Sequence, residues 1–126
     1  MIEATTIDPA TMQRYRETAK RRFDALARQR DERRTKAWEV AHAAGELLRR
    51  RFHARMVWVF GSLLQDGLFH DHSDVDVAAL GLRQEDILKA VAAVTSLDSD
   101  ISVDLVIFED APKSLRQIIQ AEGRPV

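Results

Sequence analysis

Two apolar runs of strand length, Val57-Trp58-Val59-Phe60 and Asp74-Val75-Asp76-Val77-Ala78-Ala79-Leu80, flank a connection with almost no helical signal. Runs this short, rich in β-branched and aromatic residues and bounded by turn formers, read as strands. A third, Ile101-Ser102-Val103-Asp104-Leu105-Val106-Ile107-Phe108, follows a helical stretch. A sheet this small must be covered, and three stretches with three-and-four spacing are available as cover. They are residues 10–52, residues 84–95 with Ile87, Leu88, Val91 and Val94 expected inward, and a last helix after Ala111-Pro112 with Leu115, Ile118 and Ile119 expected inward, ended by Gly123. The order is helix, strand, strand, helix, strand, helix. This predicts an α/β (α+β) fold, a small mixed β-sheet with packed helices preceded by a long N-terminal helix.

That first helix has its own logic. Asp8 is placed to cap it and Pro9 to occupy its first turn. Residues 10–52 contain no proline and one glycine, Gly45. Met12, Tyr15, Ala19, Phe23 and Leu26 form one apolar stripe, and Ala37, Ala41, Ala44, Leu48 and Phe52 a second, with a polar gap over residues 27–36 between them. The gap admits one rod of about 65 Å at 1.5 Å per residue, or two helices hinged near Gln29 to Arg34. Good helix formers throughout favour continuity. The second stripe is expected on the sheet. The first reaches past a domain this small and needs a partner or a second copy of the chain to cover it, unless the helix folds back as a hairpin. Residues 1–53 are accordingly read as a helical extension for partner or oligomer contacts, and residues 54–126 as the domain that carries the chemistry.

The polar residues of the strands suggest what that chemistry is. Asp74 and Asp76 are two apart, so on a strand they share a face, where they repel each other unless a cation lies between them. Hard oxygen ligands on a rigid strand suit magnesium, which takes one or two carboxylates and completes its shell with water and phosphate oxygens. The plain alternative is a pair of solvated turn residues. Asp104 is a lone acid among apolar neighbours, and a metal already held by the other two would give it a partner. Gly61-Ser62 directly follows a strand, where glycine lets a phosphate approach the backbone and the next turn offers N–H groups to an anion.

Taken together, Gly61-Ser62, Asp74-x-Asp76 and the later Asp104 resemble the signature of the nucleotidyltransferase superfamily related to DNA polymerase beta. The Val-Phe-Gly-Ser and Ser-Asp-Val-Asp-Val wording is most similar to its minimal nucleotidyltransferase group. The eleven residues between Ser62 and Asp74 are one more than that pattern usually has, and Leu63 and Leu64 stand where many relatives place a basic residue. The resemblance implies a nucleotidyltransferase-like fold and transfer of AMP from ATP. Asp74, Asp76 and Asp104 would be the catalytic residues and ligands for two Mg2+ ions, and Gly61 and Ser62 the cradle for the triphosphate. It implies an antitoxin whose acceptor is a tyrosine of a HEPN-type toxin, silenced by adenylylation. The alternatives are an antitoxin that neutralises a HEPN ribonuclease by covering it, and a transferase acting on a small molecule.

Composition limits the field. The 126 residues contain no cysteine, which excludes disulfides and thiolate metal sites. Nothing resembles a signal peptide, and no segment approaches the roughly 18 apolar residues of a membrane span, so a cytoplasmic protein without membrane contact is expected. The net charge of −1 conceals 13 Lys and Arg against 8 acids in residues 1–53, and 6 against 12 in residues 54–126. Acids interrupt the arginine-rich window at Asp31 and Glu32, few aromatics interleave, and a pI near 6.4 argues against nucleic acid. Arg49-Arg50-Arg51 is a candidate contact for the phosphates of a bound nucleotide. His70 and His72, around Asp71, lack a third ligand at useful spacing for zinc and read as solvated.

Overall fold

The proline-free N-terminal pattern forms one unbroken helix, α1 (Pro9–Phe52), of 44 residues. The computed structural model describes residues 8–65, 69 and 72–126, so the expectation of solvated side chains at His70 and Asp71, and the first seven residues of the helical extension, lie outside it. Asp8 stands at the cap position but makes no side-chain bond to the helix backbone; its carboxylate instead accepts from the Thr11 hydroxyl at 3.4 Å. At the other end His53 adopts the left-handed conformation, φ 58°, and Ala54 N–H donates to the Leu48 carbonyl at 3.0 Å. This closure sets the start of the first strand at Met56, one residue ahead of the apolar run that marks it in the sequence.

Strands β1 (Met56–Phe60), β2 (Val75–Leu80), β3 (Val103–Ile107) and β4 (Arg124–Pro125) form a sheet in the order β3-β2-β1-β4. β1 pairs antiparallel with β2 and β4. β2 and β3 are parallel, and the crossover between them carries helix α2 (Ile87–Thr95). Helix α3 (Lys113–Glu122) then leads into β4. Two residues containing a proline gave no strand signal in the sequence. They pair because Pro125 lies on an edge, where a missing N–H is tolerated, and because Val126 N–H adds a bond to the Val57 carbonyl at 3.0 Å.

Strand alternation sorts the core into two layers. Val57, Val59, Val75, Val77 and Val103 meet Ala41, Ala44 and Leu48 of α1 and Ala90 and Val94 of α2. Phe60, Ala78 and Phe108 meet Ile119 of α3 on the opposite face. The alanines of α1 let the helix approach the sheet closely, and at Gly45 an added Cβ would come within 2.7 Å of the Val126 backbone. Three residues expected inward are not, Leu88, Val91 and Ile118, with Val91 at 36% exposure the least displaced. Leu88 is 83% exposed because α2 turns Ala90 and Val94 inward and puts Leu88 on its far side, and Ile118 is 48% exposed, a step of about 100° round α3 from the buried Ile119.

Candidate active site

The parallel register sets the site. Asp76 lies directly opposite Asp104, and strands in a sheet are about 4.8 Å apart. Because Val75, Val77 and Val103 fill the α1 face, alternation sends both carboxylates to the α3 face. Asp104 is exposed on the edge strand, while Asp76, on an inner strand, is half-buried. Asp74 lies just ahead of β2 and is exposed. The Asp76 carboxyl is pushed up to about 6 from an ordinary 3.8, chiefly by burial, then by the charges of Asp104 and Asp74. The structure thus brings Asp104 beside Asp76, with Asp74 in electrostatic reach of it.

Phe60 pairs with Asp76, so the chain leaves β1 beside that carboxylate. Gly61 has φ +82°, and an added Cβ would stand 2.4 Å from Asp76 Oδ2. Only glycine meets both the backbone conformation and the close approach. The chain continues as a short turn, Gly61–Leu64, closed by a bond from Gln65 N–H to the Ser62 carbonyl at 3.1 Å. Leu63 is fully buried in the α1 layer and anchors that turn, while Arg34 Nη2 donates to its carbonyl at 3.3 Å. A cleft of about 530 Å³ opens beside the turn, lined by Phe60, Gly61, Leu64, Gln65, Ile118, Glu122 and Arg124. Sequence reasoning missed the last three, since Ile118 has the spacing of a core residue and Glu122 and Arg124 belong to no motif.

Among the described residues, no three His, Asp or Glu side chains close round a single point, so the aspartates are not a ready-made metal cage. Their chemistry still fits magnesium. All the donors are hard oxygens, Asp76 and Asp104 on paired strands and Asp74 just ahead of β2, with Asp76 destabilised by burial and then by its neighbours' charge, and the open side is where water and phosphate oxygens complete such a shell. Arg49, Arg50 and Arg51 do not belong to this site. They occupy the last turn of α1, beside the start of β1 and a strand length, about 16 Å, from its exit at Gly61. Arg50 pairs with Glu46 at 3.0 Å and Arg51 lies over the Phe52 ring.

Residues 44–126 match the family described as polymerase beta, nucleotidyltransferase, and the chain belongs to this nucleotidyltransferase family. Solved structures narrow the likeness to minimal nucleotidyltransferases of the MntA type. A toxin-antitoxin crystal structure with AMP-PNP is 30% identical, with a TM-score of 0.53, over 64% of this chain and 66% of that one. An MntA–HpeT mutant with two aspartates two positions apart changed to glutamate is 26% identical, with a TM-score of 0.51 over the same shares. An MntA–HepT structure at 23% identity and a TM-score of 0.50, covering 70% of this chain and 69% of that one, supports the fold alone. The chain spans about two thirds of the length of these structures. No curated protein matches it. Among the described residues, no helix is long and apolar enough to cross a membrane.

Proposed function

We propose that the chain is a magnesium-dependent nucleotidyltransferase of the antitoxin kind, moving AMP from ATP to a tyrosine of a HEPN-type toxin and so neutralising it in the cytoplasm. The observation that carries the proposal is the register of Asp76 with Asp104 directly beside the Gly61 turn. The toxin-antitoxin neighbour with AMP-PNP and the neighbour altered at a pair of aspartates support it. Residues 54–126 would carry the chemistry and residues 1–53 the partner contacts.

Asp74, Asp76 and Asp104 would hold two Mg2+ ions, which when bound activate the acceptor and neutralise pyrophosphate charge. Gly61 lets the triphosphate approach the backbone, and Ser62 offers its hydroxyl and N–H to the β and γ phosphates. The tyrosine oxygen attacks the α phosphorus. A new O–P bond forms, the bond to the α,β-bridging oxygen breaks, and pyrophosphate leaves with that electron pair. Asp104, solvent-exposed on its edge strand, takes the phenolic proton or passes it to water.

The test uses ATP labelled at the α phosphate, magnesium and the protein encoded beside this chain. Label is expected on that protein as a covalent mass increase of one AMP, and Asp76→Asn and Asp104→Asn should each lower the rate on the order of 10³-fold. Transfer undiminished by Asp76→Asn would sink the proposal. A second reading, neutralisation by binding alone, is favoured by the uncovered stripe on α1. It predicts that the Asp76→Asn chain still protects cells from the toxin.

A further inference from the structure

We infer that the N-terminal half of α1 is a docking shelf for the acceptor protein, built to take an apolar surface bordered by carboxylates and to hold it beside the aspartates. This deepens the proposed function and rests on its premise that the acceptor is a protein. Steps of three and four run without a break from Tyr15 through Ala19, Phe23, Leu26, Arg30 and Arg33 to Ala37, Ala41, Ala44 and Leu48. In one continuous helix these residues share a face. The shelf therefore faces the side on which the same helix lies against the sheet. The crossing point is marked by Arg33, which donates to the Asp100 carbonyl at 3.4 Å and lies over the Phe69 ring. N-terminal to it the helix overhangs the domain, leaving Tyr15 63%, Phe23 70% and Leu26 54% exposed.

The overhang leaves from the active end. Arg34 bonds Leu63 of the Gly61 turn, and Lys36 pairs with Asp98 and Asp100 at 3.5 and 3.1 Å, ahead of β3. That end carries the exit of β1 and the starts of β2 and β3, with Asp74, Asp76 and Asp104. Phe23 is eleven residues from Arg34, about 16 Å along the helix. A protein seated on the shelf thus abuts the end of the sheet where the acceptor hydroxyl has to arrive.

Charge selects the occupant. Residues 10–30 contain seven Lys and Arg against two acids. Arg16 and Arg22 border the stripe and Arg30 continues it, while Glu17, Asp24 and Asp31, seven apart, occupy the far side of the helix. A second copy offering the same stripe would set arginines against arginines. A different protein with an acidic rim round apolar residues matches it.

The decisive experiment purifies the chain with the protein encoded beside it and measures their dissociation constant for the wild type, Phe23→Glu and the triple variant Arg16→Glu, Arg22→Glu, Arg30→Glu. Phe23→Glu is expected to weaken the complex at least 100-fold and the triple variant about 30-fold, with wild-type association slowing as salt rises. AMP-PNP binding and melting temperature serve as folding controls and should not move, because among the described residues Tyr15, Phe23 and Leu26 belong to neither layer of the core. Unchanged affinity in both variants, or no complex with the wild type, overturns the inference. So does a wild-type chain that is dimeric alone and monomeric as Phe23→Glu, which would assign the stripe to a second copy. Failure of the chemistry looks different: the complex forms and depends on Phe23, yet no label passes from ATP.

Discussion

From Ala37 to Phe52 helix α1 is inseparable from the sheet, whereas from Tyr15 to Leu26 the same helix covers no part of the core among the described residues. The residues differ as their surroundings require. The covered half faces the sheet with Ala37, Ala41 and Ala44, small enough for close approach, while Val40, Leu48 and Phe52 are buried around them and Trp38 and Leu47 pack at the margin. The overhang presents Tyr15, Phe23 and Leu26, side chains that contribute most when another surface closes over them. Periodicity shows which face of a helix is apolar, and residue size tells a seam already closed from one still open.

Hydrogen exchange puts the largest number on this contrast. An isolated helix of about 25 residues is only marginally stable in water, and its exposed Glu17 to Arg21 pair, at 3.9 Å, adds little. Amides between residues 12 and 28 should exchange at least about 10³-fold faster than those between 40 and 50, which open only with the domain. Comparable protection in the two segments would mean that the overhang is covered in solution. Next in size is Leu48→Ala, expected to lower unfolding free energy by about 2–5 kcal/mol in urea titration.

The acidic site contrasts with both halves of α1, because there stability is given up. The folded Asp76 carboxyl titrates at about 6, above the ordinary 3.8, so the folded chain holds that proton more tightly than the unfolded one. The resulting stabilisation is complete below pH 3.8 and is lost as pH rises through about 6. Asp76→Asn should therefore raise stability at pH 7.5 by about 1–2 kcal/mol, discounted for partial exposure, and should do nothing below pH 4. A pH-independent effect would mean that burial and neighbouring charge are not what strain this carboxylate.

The clamp at the root of the overhang runs the other way. Bonds from the Asp100 and Ile101 N–H groups and the charge of Lys36 hold Asp98 below the usual carboxylate range. Lys36 is raised, mainly by its hydrogen bond to Asp100. The clamp's contribution is complete from above the ordinary carboxylate range to below the ordinary lysine value of 10.5. It fades as pH falls through the lowered pKa of Asp98 or rises through the raised pKa of Lys36. Exchange at residues 30–36 should therefore quicken at either extreme before the core does.

How much of this the sequence announced follows the same division between local and non-local information. One continuous helix, three strands and the Gly61-Ser62 turn depend on composition within a few residues, and they were legible. The register that sets Asp104 opposite Asp76 depends on a crossover of more than twenty residues, which spacing alone does not fix. β4 was invisible because two residues carry no period, and Arg124 became part of the cleft only through β4. Ile118, Val91 and Leu88 misled for one reason: three-and-four spacing does not say which part of an apolar arc meets the sheet, and the residues off that strip end exposed.

Phe23→Ala is the smallest effect expected and the sharpest for the contrast. At 70% exposure its removal should change unfolding free energy by less than about 0.5 kcal/mol in the chain alone, against the several lost at Leu48. In the complex the same truncation should weaken binding by more than tenfold, the ordinary loss for a buried aromatic anchor. A residue neutral to folding and costly to association belongs to an interface. A Phe23→Ala chain destabilised by 2 kcal/mol or more would instead show that the overhang folds back on its own domain, and the distinction between the two halves of α1 would vanish.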